Sequence, residues 1–600
     1  MASPAINKTT SPSGQHADEK HSVVQSLFFG DIDESLVFPF PYFSPEEVEI
    51  AKTMNDAFNK FAADNIDSRK FDHDSKIPPE VLKGLADLGL CGLGVPEELG
   101  GLGLNARLYS RVFQEVAGVD GSVATTLGAH QSIGFKALLN EGNKQQKEKW
   151  LPLLASGQKW AAFCLTEPGS GSDAYSIKTK AIDNKDGTYT LNGQKLWITN
   201  AGLADFYTVF AKTEHDIDGE KKEKISCFIV EKDFPGISFG EKEDKMGIRA
   251  SETRAVYFDN VKVPAANILG QLGKGFVIAM NVLNTGRLSL GSGSVGAMKT
   301  IIKHAVAHAN GRKQFGKTIT EFGLIQEKIS RMSFNCYAAE SVVYLTTGSM
   351  TSGLKDYAIE SAICKVFNSE CLWECVDTAT QIAGGCGYMR EYPYERLMRD
   401  SRINLIFEGT NEILRCFIAL MGIKGPGDEM KDLGKATDIS KALHDPIKSL
   451  GVLSGFAKRR IGKWVGNKAL SQCHLRLEEH ATNYTHMVSQ FSIAVENSII
   501  KWGSKIVDRE MAQKRISEMA IDLYVTIAVL SRTTAILNNK NVPEDKKEYS
   551  YLMGHLACRE RHKRFNINLQ AMGGLDDTNA RMVSDFTAKF EGYGLEILDY

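Results

Sequence analysis

The chain has 600 residues, 43% hydrophobic and 24% charged, which is the range of a multi-domain globular protein and not of a fibrous or disordered one. A formal net charge of -2 provides no overall basic balance, so no nucleic-acid partner is expected. Eleven cysteines lie at irregular intervals and Cys371 and Cys375 have no second pair beside them, so no metal site is expected and the thiols fit a reducing compartment.

No apolar run reaches the roughly 20 residues of a membrane-spanning helix. Residues 1–25 are polar, lack arginine and include Asp18 and Glu19, unlike a transit peptide, and they have no apolar core of a secretory signal. They read as a disordered tail on a cytoplasmic protein. Residues 26–43 carry Pro39 and Pro41 among several aromatics and read as an extended arm. Ser44-Pro45-Glu46-Glu47 is a helix start, opening an N-terminal helical domain over 44–159 whose period resumes at Pro79–Leu88 and Ala106–Val116. The glycine-dense stretch Gly89–Leu104 has no βαβ pattern before it and carries Pro96 and two acids, so it reads as a loop and not a phosphate cradle. In Ala129–Gly142, a helix-like piece, Gly134 and Ala137 share one face. Their small side chains either allow close helix packing or leave room beside the helix.

From 160 to 275 the pattern changes to strands. TYTLNGQKLWIT alternates on both sides of Asn192-Gly193, the commonest hairpin pair, and DFYTVFAKT, KISCFIVEKD and RAVYFDNVKVP read the same way. Two motifs sit at the edge of this β domain. Phe163 to Asp173 joins a strand end to a small-residue loop containing Thr166 and Ser172, and Lys195 to Asn200 puts Trp197 and Thr199 on one strand face. Taken singly, they are also what a turn and a core tryptophan look like.

Helical period returns over 276–425. Arg287 follows Gly286, with Asn284 one turn before, and Arg312-Lys313-Gln314-Phe315-Gly316 alone would be a solvated turn. The stretch from Gln381 to Arg415 is the most informative. A glycine knot containing Gly384 and Gly385 opens it, and the apolar run Ile403–Phe407 delivers Glu408 into the turn Glu408-Gly409-Thr410. Thr410-Asn411 is a helix cap in the making. A carboxylate between an apolar run and a tight turn has a raised-pKa environment available, which suits a general base; an exposed acid beside a cap is the plainer alternative. A second helical region follows over 440–600. Within it, residues 446–470 carry six basic residues from Lys448 to Lys468 and no acid, interleaved with apolar ones. That composition suits an anionic membrane surface, a partner-docking helix or a solvated face.

Together, Phe163–Asp173, Lys195–Asn200, Arg312–Gly316, Gln-x-x-Gly-Gly-x-Gly-Tyr from Gln381 and Phe-Glu-Gly-Thr-Asn-Glu-Ile from Phe407 resemble the acyl-CoA dehydrogenase family, in the right order. The extension beyond 425, with Gly134, Ala137 and the N-terminal arm, is similar to its very-long-chain branch. The resemblance implies an α+β, mostly α fold: N-terminal helical domain, central β-barrel-like domain, C-terminal four-helix bundle and an additional helical domain. It implies FAD held by Phe163, Thr166, Ser172, Trp197, Thr199, Arg312, Phe315, Gln381, Gly384, Gly385, Thr410 and Asn411. Glu408 matches the catalytic base, and Ser172, Asn284, Arg287, Phe407 and Gly409 the substrate contacts. Gly134 and Ala137 would make room for the end of a long acyl chain. The implied reaction is α,β-dehydrogenation of a fatty acyl-CoA in β-oxidation, with electron-transfer flavoprotein as acceptor and a homodimer as the assembly. An oxygen-using oxidase or a respiratory-complex assembly factor are the alternatives within the same resemblance.

Overall fold

The computed structural model describes residues 22–437, 470–574 and 576–597, so the basic stretch 446–469 and residues 1–21 lie outside the described residues. The arm is not wholly extended: Val23–Phe29 is a helix (α1), capped by Ser22, and a short 3-10 turn follows at Glu34–Leu36. The N-terminal domain contains α2 (Pro45–Asn65), α3 (Ser68–Asp74), α4 (Pro79–Asp87), α5 (Ala106–Val119), α6 (Gly121–Gly128), α7 (Lys136–Glu141) and α8 (Lys144–Ala155). Ser44 and Glu47 form the reciprocal capping box that the sequence encodes at the start of α2. Between α6 and α7 the expected helix is interrupted by a π-turn, Ala129–Gly134.

The central domain is an eight-stranded sheet: β1 (Ala161–Cys164), β2 (Lys180–Asp183), β3 (Thr188–Thr199), β4 (Phe206–Ile217), β5 (Glu220–Glu231), β6 (Ile237–Phe239), β7 (Thr253–Pro264) and β8 (Ile268–Leu269). Its order is β6-β7-β3-β2-β4-β5-β8, with β1 parallel to β4, and among the described residues β6 and β8 do not pair to close a barrel. Asn192-Gly193 is not a hairpin turn. It is a β-bulge inside β3, where the register against β7 shifts. Asn192 is tied across to Asn260, whose N–H it accepts at 2.9 Å, and that cross-strand pair keeps the chain running straight on. A second shift between Lys195 and Ile198 turns Trp197 outward.

Four long helices make the bundle: α9 (Gly275–Gly311), α10 (Gly323–Thr351), α11 (Ala358–Ala383) and α14 (Asn411–Thr437), with α12 (Gly385–Tyr388) and α13 (Tyr394–Arg402) between the last two. Small residues on α9 set the spacing. A Cβ at Gly296 would lie 1.9 Å from the Gln114 carbonyl of α5, and one at Gly291 2.5 Å from Cys364 Sγ of α11. The appended helices are α15 (Glu478–Trp502), α16 (Glu510–Asn538), α17 (Glu544–Ala571) and α18 (Asp577–Lys589). Helices α15 to α17 share one continuous core with the bundle, while α18 buries no side chain. Helix α16 is long and apolar enough to cross a membrane by length and composition, although Asp522 and Arg532 interrupt its apolar sequence. Its most apolar window is 78% buried inside the protein, as in a core helix.

Helix α1 fastens the two helical regions together. Ser22 Oγ and the Val24 N–H donate to Glu360 of α11, and Phe28 sits edge-on to Phe491 of α15 at 4.8 Å. Gly422 of α14 makes room for the Phe28 ring, which a Cβ there would meet at 2.1 Å. Phe28→Ala should remove about 3–5 kcal/mol of stability by emptying this site, and denaturant unfolding would read the loss directly.

Candidate active site

Glu408 stands where the bundle closes over the β domain. After α13 a 3-10 turn (Ile403–Leu405) leads into Glu408 at φ 60° and Gly409 at φ 93°. Two consecutive left-handed residues reverse the chain into α14, whose first turn Thr410 caps by accepting the Ile413 N–H at 3.3 Å. The left-handed glutamate costs about 1–2 kcal/mol, which the surrounding contacts must hold. Glu408 Oε2 is shut off from solvent and has no hydrogen-bond partner. It lies over α9 at Gly286, where a Cβ would come within 2.6 Å of it.

Two buried cations fix the turn from behind. Arg287 Nε donates to the Glu408 carbonyl at 3.2 Å, Nη1 donates to Asn284 Oδ1 at 2.9 Å, and the guanidinium lies 5.5 Å from the Phe417 ring. Lys365, fully buried on α11, donates to the Gly409 carbonyl at 2.8 Å and to Asn411 Oδ1 at 2.6 Å. Burial pushes the Glu408 carboxyl up to about 7, while Arg287 and Lys365 pull it back down. Burial likewise pushes Lys365 down to about 7 and Arg287 down to about 10.

A cavity of about 130 Å³ runs from this carboxylate into the N-terminal domain. Thr199, Phe407 and Glu408 line it together with Thr125, Gly128 and Ala129 of the N-terminal domain and Gly293 of α9. Gly134 and Ala137 do not line it. The π-turn rotates Gly134 toward β1, where a Cβ would lie 3.0 Å from the Ala161 Cβ, and Ala137 is fully buried among other apolar side chains. Their smallness serves close packing, and the room comes from Gly128 and Ala129 one turn earlier. Asn284 and Arg287 line no described cavity either. They brace the turn.

On the sheet side, Thr166 and Trp197 are held by a buried pair beneath them. Lys195 Nζ donates to Glu167 at 2.7 Å, Glu167 also accepts the Thr179 N–H at 3.1 Å, and the Leu196 N–H donates to the Thr166 carbonyl at 3.0 Å. Trp197 is 62% exposed at φ 56°, and a Cβ on Gly169 or Gly171 would touch nothing, so a flat aromatic ring and its phosphates have an open cradle here. These residues fit FAD. Ser172 is exposed in the same loop, while Phe163 packs on Phe210 at 5.1 Å. Asn411 does not fit the contact expected of it: it is 1% exposed and its amide is used on Lys365, Ser369 and Glu370. Arg312, Phe315, Gln381, Gly384 and Gly385 are exposed and line no described cavity. Gly286, Lys365, Thr125, Gly128 and Ala129 were missed in the sequence. Only Lys365, a lone charge in the apolar run Ala362–Phe367, left a signal there.

The raised Glu408 has a consequence for stability. Between about pH 4.5 and 7 the folded protein keeps a proton that the unfolded chain has released, so stability falls as pH rises through that window. Glu408→Gln should therefore exceed the parent protein at pH 8 by about 2–4 kcal/mol and converge with it near pH 4, as measured by unfolding at both pH values.

Comparisons with known proteins agree with this geometry. Residues 45–158, 162–261 and 273–421 match the N-terminal, middle and C-terminal domains of acyl-CoA dehydrogenase, and 475–587 match the ACAD9/ACADV C-terminal domain. The very long-chain specific acyl-CoA dehydrogenase of Rattus norvegicus is 45% identical over 87% of this chain and 80% of its own. That of Bos taurus is 42% identical over 95% and 88%. An acyl-CoA dehydrogenase from Bacillus anthracis, solved in complex with FAD, superposes with a TM-score of 0.77 at 34% identity, covering 91% of each chain. The chain belongs to the acyl-CoA dehydrogenase family.

Proposed function

We propose that the protein catalyses FAD-dependent α,β-dehydrogenation of long- or very-long-chain fatty acyl-CoA to trans-2-enoyl-CoA, the first step of β-oxidation. One observation carries the reading: an unpartnered carboxylate, raised toward neutrality, lines an apolar cavity that Thr199, at the edge of the cofactor cradle, lines as well.

Glu408 takes the α-proton of the thioester. The bound flavin supplies the two-electron acceptor for the hydride that leaves the β-carbon. As the Cα–H and Cβ–H bonds break, the C=C bond forms and the proton rests on Glu408 Oε2. A base in a dry pocket with a pKa near 7 is well matched to a weak carbon acid, because it is ionised at neutral pH yet basic. The backbone N–H of Glu408 would donate to the thioester oxygen as it gains enolate character, an interaction worth roughly 3 kcal/mol in a preorganised site. Thr166, Trp197 and Thr199 orient the ring, and the apolar wall at Thr125, Gly128 and Ala129 receives the chain.

The remaining cofactor residues support a homodimer. Arg312, Phe315, Gln381, Gly384 and Gly385 lie on the surface, where they would complete the cofactor site of a second copy, with Arg312 on phosphate. Electron-transfer flavoprotein is the proposed acceptor, and the basic, apolar stretch 446–470 the proposed contact with an anionic membrane surface.

Anaerobic titration with acyl-CoAs from C4 to C20 should bleach the flavin, most strongly at C14–C20. Absence of bleaching by every chain would overturn the reading and favour a scaffold role. Ala129→Leu should shift the preference toward shorter chains by narrowing the cavity, in the same titration. Single-turnover reduction should rise with pH through about 7 as Glu408 ionises, and Glu408→Gln should lose several orders of magnitude in rate while keeping FAD.

A further inference from the structure

Lys365 is a charged side chain with no exposure to water, flanked on α11 by the buried apolar residues Ile363, Cys364, Val366 and Phe367. An ammonium in such a place is costly unless its hydrogens are used. Two of them are used on the single turn that carries the base: one on the Gly409 carbonyl, next in sequence to Glu408, and one on Asn411, the first residue of α14. The Asn411 amide in turn donates to Ser369 and Glu370 of α11, so Asn411 is fixed on both sides.

The charges that face this corner come from three helices. Arg287 comes from α9, Lys365 and Glu370 from α11, and Glu412 from α14. Arg287 is bonded to the Glu408 carbonyl and Lys365 to the Gly409 carbonyl, so the two cations hold consecutive peptide groups of a strained turn. Glu370 is already occupied by Arg415, which donates to both of its oxygens at 2.7 and 2.9 Å.

The structure assigns Lys365 as the positioning residue of the Glu408 turn: it clamps Gly409 and Asn411 and holds a positive charge behind the base. It does not touch substrate. This assignment rests on the reading of Glu408 as the base, but its test does not depend on turnover. The carbonyl stretch of a buried protonated carboxyl, identified as the infrared band that Glu408→Gln removes, reports Glu408 ionisation without any substrate.

Lys365→Gln keeps a donor for Gly409 and removes the charge. Its Glu408 band should titrate about 1 pH unit higher than in the parent protein, and the acid limb of flavin reduction should move with it. Lys365→Arg keeps the charge at every pH and should titrate at or below the parent midpoint. If both variants titrate with the parent midpoint, Lys365 is only a packing residue and the proposal falls. If Lys365→Gln does not fold, Lys365→Arg alone decides: a midpoint above that of the parent protein overturns the assignment. A band that shifts as expected in a protein no acyl-CoA can reduce would sink the functional reading and leave this one standing.

Discussion

The active corner depends on the burial of one carboxylate without a hydrogen-bond partner. Taking Glu408 out of water raises its pKa toward neutrality, and that is tolerable because two cations stand behind the turn and not against the acid. A direct ion pair would have returned the carboxylate to an ordinary acidity and made it a poor base. Bonding Arg287 and Lys365 to the neighbouring carbonyls leaves the acid unpaired and still partly compensated. The left-handed backbone of Glu408 is part of the same arrangement, since it aims the side chain at Gly286 and leaves the peptide groups facing the cations.

The same economy of space governs the bundle. Helix α9 is mostly small residues through its middle, and each does a separate job: Gly286 admits the carboxylate, Gly291 admits Cys364, Gly293 opens the cavity and Gly296 lets α5 approach. Such a helix has little amphipathic character and would be marginal in isolation, so its stability comes from being enclosed. Any added methyl along this stretch changes either the packing or the site.

Much of this was legible in the sequence. The apolar run before Glu408, the glycine after it and the Thr410 cap specify the turn locally, and Ser44-Pro45-Glu46-Glu47 specifies a helix start by the same kind of nearest-neighbour chemistry. Failures came where the partner is far away in sequence. Asn192-Gly193 has hairpin chemistry, yet Asn260 overrides it. Gly134 and Ala137 have the right spacing to open a helix face, yet the π-turn rotates that face toward β1, and no local signal marks a π-turn. Asn411 looks like an available amide until Lys365, Ser369 and Glu370 are folded around it.

Helix α1 is made before the other described helices and needs partners made late. Its apolar face, Val23, Val24, Leu27 and Phe28, is buried against α11, α14 and the appended helices, and Phe491 lies more than 450 residues further along the chain. At a synthesis rate of about 5–20 residues per second, the ribosome needs roughly half a minute or more to reach it. During that interval four apolar side chains near the amino end have no finished surface to cover them. The earliest of the described helices is therefore among the last to dock, and its seating marks the moment at which bundle and appendage have both formed.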